Sequence, residues 1–140
     1  FNNLKLKHEL SDYYFNMGEM HLFDKEYQKA LYYYMRGLKI DEIQGNKPSI
    51  ASDYNMLGEL YLEIDNLEEA ERFFEQSILV SKQISIQPEL ASASYNLGLL
   101  YKKKGQKDKA AEYFKKAGEI YLQIGVARYP DIKKEPLLIK

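Results

Sequence analysis

The 140-residue chain has no cysteine and no tryptophan. The missing cysteine excludes disulfides, cysteine-based zinc sites and a thiol nucleophile. It also fits a reducing compartment, and we expect a cytoplasmic location. Proline is scarce, at four residues, so each one punctuates the chain. No run of about 18 apolar residues occurs, so no segment reads as a membrane span, and no secretory leader is visible. Neither charge is in excess: 20 Lys and Arg face 21 Asp and Glu, for a net charge of −1. That mixture argues against a broad electrostatic footprint for nucleic acid or membrane, and neither is expected as a partner. Catalytic signals are poor too. His8 and His21 lack the i, i+4 spacing of a metal pair, and there is no glycine-rich phosphate loop. Acidic pairs such as Glu68-Glu69 fall at an expected helix start, where the helix dipole favours them. We therefore expect no enzyme activity, no cofactor and no metal. The first residue is Phe1 rather than Met, from which a fragment or a processed product is expected.

What the chain does contain is a period. Gly18, Gly58 and Gly98 stand forty residues apart, and so do Ala30, Ala70 and Ala110. Tyr34, Phe74 and Phe114 keep the same step, as do Met17, Leu57 and Leu97. A fixed step of about 20–50 residues marks a repeat protein whose units share a continuous core with their neighbours. Within each unit the apolar residues recur at three- and four-residue steps, the spacing of one helix face. Leu10, Tyr13, Tyr14, Met17, Gly18 and His21 define a first helix over about 8–23. After the polar turn Asp24-Lys25-Glu26, a second helix over about 27–43 turns Ala30, Leu31, Tyr34, Leu38 and Ile43 inward. Gly45 then closes one helix and Pro48 opens the next. Further helices are expected over about 48–64, 67–85, 88–104 and 107–124. The units are about 8–47, 48–87 and 88–125 of a single domain, 1–140. Residues 126–140 are expected to form a partly ordered tail, because Pro136 falls where another helix needs its backbone donor. Gly inside a helix costs about 1 kcal/mol relative to Ala. Its recurrence at one register predicts that the two helices of each unit cross closely there, with Tyr34, Phe74 and Phe114 filling the space towards the next unit.

These aligned residues resemble the tetratricopeptide repeat (TPR), which carries an aromatic, Leu-Gly and Tyr in its first helix, then Ala and an aromatic in its second. The second copy reads Tyr54, Leu57-Gly58, Tyr61, Ala70, Phe74; the third reads Ser94, Leu97-Gly98, Tyr101, Ala110, Phe114. The first reads Tyr14, Met17-Gly18, His21, Ala30, Tyr34. Ser94 and His21 replace aromatics, so looser packing is expected at those points. The period exceeds the usual thirty-four residues by nearly two helical turns, and the excess is assigned to longer helix ends and loops. A forty-residue repeat is similar to that of bacterial regulators that sense signalling peptides, and of some scaffolding proteins. The resemblance covers about 8–124. It implies an all-α fold, three helix-turn-helix pairs stacked as a right-handed superhelical segment (an α-solenoid). The function it implies is a non-catalytic scaffold that binds a protein or peptide in the concave groove of the first helices. The alternative is the peptide-sensing segment of a bacterial transcription or signalling regulator.

In that groove we expect Phe15, Asn16 and Glu19 from the first unit, and Asn55 and Glu59 from the second. The third contributes Tyr95, Asn96, Leu99, Lys102 and Lys103. The charge then runs from acidic to basic. It would suit a peptide with basic residues over the first two units and an acidic residue or C-terminus at the third; a mixed solvated surface would show the same charges. An Asn amide both donates and accepts, as a peptide backbone requires, although Asn at this register also serves the repeat itself. A clamp for a terminal carboxylate is not expected, because Glu19 and Glu59 occupy its place. Lys102, Lys103, Lys104, Lys107 and Lys109 surround Gly105 and read as solvated charges complementing a helix C-terminus. Tyr32 and Tyr33 are expected to be partly exposed on the convex side. Neither end carries an obvious polar cap, so excision from a longer array, or self-association through uncapped ends, is expected.

Overall fold

A computed structural model describes residues 2–125, with side chains from position 5 onward. It contains α1 (Asn2–Phe23), α2 (Tyr27–Gln44), α3 (Lys47–Glu63), α4 (Leu67–Gln83), α5 (Gln87–Lys103) and α6 (Lys107–Ile124). Helix α1 begins at Asn2 rather than near position 8; the others lie within two residues of expectation. The expected tail, 126–140, lies outside the described residues. The chain packs as hairpins α1–α2, α3–α4 and α5–α6, joined by α2 against α3, α4 against α5 and a further contact of α3 with α5.

The turns set this arrangement. Lys25, Gly45, Asp65, Ser85, Gly105 and Gly125 all have positive φ, so a left-handed residue falls every twenty residues. Around Asp65, Asp65 N–H donates to the Leu62 carbonyl at 3.1 Å and Asn66 N–H to the Tyr61 carbonyl at 2.9 Å. The paired bonds recur at Lys25-Glu26, Gly45-Asn46, Ser85-Ile86 and Gly105-Gln106. This is the Schellman terminator, which satisfies carbonyls left over at a helix end. Asn46 then caps the next helix by accepting from Ser49 N–H at 3.4 Å, and Asn66 does the same for Glu69 N–H. Pro48 and Pro88 sit in the first turns of α3 and α5, where a missing N–H does no harm.

Inside each hairpin a ring rests on the mid-helix glycine. A Cβ built on Gly98 would meet ring carbons of Phe114 at 2.5 Å, and Gly18 and Gly58 face Tyr34 and Phe74 in the same way. The predicted close crossing is therefore present. The same rings also join core clusters that continue into the next hairpin: Tyr34 and Leu38 with Leu57 and Leu60, Phe74 with Leu97 and Leu100. Burial pushes the Tyr34 hydroxyl up to about 12, with the charges of Glu19 and Glu59 adding to the effect.

Three expected inward residues face out. Ile43 is 67% exposed. Asp41 is the buried residue on that turn, and two further residues rotate the chain by about 200°, to the opposite side. Leu10 and Tyr13 are also exposed. Their counterparts Ala93 and Asp53 (for Tyr13) and Ile50 and Leu90 (for Leu10) are covered or half covered by the preceding hairpin. Among the described residues, no hairpin precedes α1.

The seam between α2 and α3 holds two buried carboxyl groups, Asp41 and Asp53. Burial pushes Asp53 up to about 10, and the hydrogen bond and charge of Asp41, followed by Asp12 and Glu89, act in the same direction. Asp53 is therefore protonated at neutral pH and bonds to its neighbour as an acid. One oxygen on each residue, Asp41 Oδ1 and Asp53 Oδ2, has no hydrogen-bond partner.

Candidate peptide groove

The first helices of the hairpins, α1, α3 and α5, bring most of the expected groove residues to one face. Glu59, Leu62 and Glu63 from α3 stand across an open groove of about 700 Å³ from Asn96, Leu99, Lys102 and Lys103 on α5. Leu62 and Leu99 are its apolar part, and the acidic wall on α3 faces the basic wall on α5. Lys103 Nζ reaches back across the seam to Asp65 Oδ1 at 3.1 Å and to the Leu62 carbonyl at 3.4 Å. Asn16 and Glu19 extend the face, exposed, along α1.

The two buried asparagines are tied into the seam between α3 and α5. Asn55 Nδ2 donates to Ser92 Oγ at 2.9 Å, and Asn96 Nδ2 donates to Asn55 Oδ1 at 3.0 Å. Asn96 Nδ2 also lies 3.3 Å from Glu59 Oε1. Glu59 is reached by solvent from the groove side, yet protein surrounds it on the others. That partial desolvation raises its pKa against the lowering effect of the Asn96 amide, with Glu89 and Glu19 adding like charge. The network therefore holds one carboxylate at the groove floor with a higher proton affinity than an ordinary Glu.

Asn55, expected to meet a ligand, is 4% exposed and buried in the α3–α5 seam, and two further placements differ from expectation. Phe15 is only 8% exposed. Its ring lies on Gly37 of α2, where an added Cβ would collide with it, and 5.4 Å from the Tyr34 ring. It is a core residue, withdrawn from the groove. Tyr95, at the same register, is half buried and leans on Phe114 with ring centroids 5.4 Å apart. The matching column of small residues opposite (Gly37, Ser77, Ala117) was the available signal for Phe15. His21, standing for an aromatic, stacks on Tyr33 at 5.3 Å and shares a 3.0 Å hydrogen bond with Glu26. Of the two convex tyrosines, Tyr32 is exposed and Tyr33 half buried.

The lysine cluster is partly committed. Lys104 pairs with Glu71 of α4 at 2.8 Å, and Tyr101 donates its hydroxyl to the other oxygen of that carboxylate. Burial opposes ionisation of Glu71, but these two bonds outweigh it and lower its pKa. Lys109 lies over the Tyr101 ring at 4.7 Å. Among the described residues, no group of three His, Asp or Glu side chains could hold a metal ion, and no helix is long and apolar enough to cross a membrane.

The family model of the tetratricopeptide repeat matches residues 9–83 and 49–123, two overlapping spans that together cover most of the chain. The chain belongs to the tetratricopeptide repeat family. Among solved structures, this TPR chain is similar to the apo form of RapI, with 20% identity and a TM-score of 0.81, over 89% of this chain and 46% of that one. It is also similar to aspartyl phosphate phosphatase F from Bacillus subtilis, with 18% identity and a TM-score of 0.80, over 85% of this chain and 31% of the other. The N-terminal domain of stress-induced protein-1 (STI-1) from C. elegans matches at 18% identity with a TM-score of 0.71, over 96% and 98% of the two chains. This chain thus spans less than half of the length of the first two. At these identities the likeness is one of fold. No curated protein matches the chain in sequence.

Proposed function

We propose that this TPR segment is a non-catalytic scaffold that binds a peptide along the concave face of α1, α3 and α5. The observation that carries this reading is the groove itself: Glu59 and Glu63 face Lys102 and Lys103 across the apolar surface of Leu62 and Leu99. Opposed charges flanking an apolar strip fix the direction of an extended ligand, with basic side chains towards α1 and α3 and an acidic side chain or C-terminus towards α5. Asn16, exposed beside Glu19, is the asparagine best placed to meet a ligand backbone. Asn55 and Asn96 stiffen the floor instead, and so hold Glu59 in place.

The test is fluorescence anisotropy with an array of labelled peptides of varied charge and terminus. Peptides with N-terminal Lys or Arg and C-terminal Asp or Glu should bind selectively, and more weakly as salt rises. Glu59→Lys should weaken the selected peptide about tenfold or more, and a peptide with its basic residues reversed to acidic should regain affinity for that variant. Equal binding of charge-reversed peptides to the wild-type protein would remove the electrostatic reading. A second reading, from the forty-residue period, makes the segment the sensory part of a longer regulator. It requires that the selected peptide change the superhelix, seen as a shift in small-angle scattering on binding.

A further inference from the structure

The two seams between hairpins differ on the convex side. Beside the first, along the α3–α4 hairpin, three rings meet in series: Tyr61 stacks on Phe73 at 5.6 Å, and Tyr54 lies tilted against Phe73 at 6.0 Å. The Tyr54 hydroxyl ends against Glu42 Oε2 at 3.4 Å. Forty residues on, the second seam repeats the series with Tyr101 on Tyr113 at 5.5 Å, but Ser94 stands where Tyr54 would supply the third ring. The Ser94 hydroxyl turns back to its own helix and donates to the Leu90 carbonyl at 2.8 Å. The result is an open pocket of about 430 Å³ between α4 and α6, floored by Ser94, Leu97 and Leu90 of α5. Ile78 and Ile120 form its apolar walls; Glu75, Lys82, Lys116 and Glu119 form its rim. Leu79 lies at the mouth, 60% exposed.

We propose that this convex pocket is a second binding site, separate from the concave groove, that takes the phenol ring of a tyrosine carried by a protein partner. The chain supplies its own template for the occupant, because the corresponding place in the first seam is filled by a phenol. The charge at its far end is inverted. Lys82 replaces Glu42, so the hydroxyl that donates in the first seam would accept from an ammonium in the second. An apolar centre within a rim of both charges is the pattern of an anchor site at a protein interface, where aromatic side chains carry much of the binding energy. The exposed Leu79 gives the partner's surface around that ring something to cover.

The experiment uses the 140-residue protein and amide NMR, with p-cresol, the tyrosine side-chain analogue, as the first probe and N-acetyltyrosinamide as the second. Saturable shift changes are expected around Ser94, Leu79 and Ile120 with both probes. They should be lost in Ser94→Tyr, which supplies the ring internally and should also raise the melting temperature by several degrees. They should persist in Glu59→Lys, which lies on the other face. Replacing p-cresol by p-toluate should tighten binding severalfold in the wild type but not in Lys82→Ala. Shifts centred on the concave groove would overturn the proposal, as would unchanged binding in a folded Ser94→Tyr variant. Contacts from residues 126–140 to the pocket methyl groups without probe would also overturn it, the occupant then being the chain itself.

Discussion

At the scale of the residue, the structure turns on side chains that are absent. Gly58 is there because the ring of Phe74 needs its space, and an overpacked crossing costs about 1–3 kcal/mol or more. Gly58→Leu should lower the melting temperature by several degrees at least, measured by circular dichroism; an unchanged melt would deny the close crossing. The opposite lesson comes from the turns. Ser85 holds φ at 58°, a conformation that costs a non-glycine residue roughly 1 kcal/mol. Ser85→Gly should raise the melting temperature by a few degrees. Gly45, Gly105 and Gly125 announced left-handed residues in the sequence; at Lys25 and Asp65 the polar run announced a turn but not the left-handed residue within it, and at Ser85 neither was announced, because lysine and serine lack glycine's preference and aspartate has only a little of it. These three adopt the conformation because the packed helices on either side require it.

At the scale of the element, the seam between α2 and α3 is the unusual one. Asp53 holds a proton up to about pH 10 in the folded chain, whereas an unfolded Asp loses it near pH 4. The folded state therefore binds the extra proton between those limits, and its stability falls as pH rises from about 4 towards 10. Asp53→Asn removes that dependence and keeps a donor for Asp41. Relative to wild type, the variant should gain stability steadily through thermal melts at pH 5, 7 and 9. Parallel curves would show that Asp53 ionises normally. The sequence did not reveal this pair. Periodicity marks which faces turn inward, and it placed the helices within two residues, apart from the start of α1. It is silent when an acid occupies an inward position whose repeat counterparts are Ser81 and Ala93.

At the scale of the whole molecule, the fold was legible because it is written three times. The candidate groove was legible in part, for a geometric reason. Neighbouring residues on a helix differ by about 100°, so one position decides between groove and core. Phe15 and Tyr95 share a register, yet Phe15 sinks onto Gly37 while Tyr95 stays half buried. The destination depends on the opposite helix, which a pattern read along one helix does not include. Glu59, Lys102 and Lys103 lie exposed on the first helices, where the sequence pattern places them, because an exposed position needs no partner to define it. The internal use of Asn55 and Asn96 depended on both helices at once.

The left-handed turns at twenty-residue intervals also make the chain divisible. Each hairpin ends in the same backbone geometry with which the one before it ended, so residues 46–85 form a cassette whose two ends match. Copying that cassette in tandem would set the second copy's Asp53 against Ser81 of the first, because Ser81 is the counterpart of Asp41. Ser81 Oγ is buried without a partner in the present chain, and a hydroxyl facing a carboxylate would satisfy both. The second hairpin is thus better suited to follow itself than to follow the first.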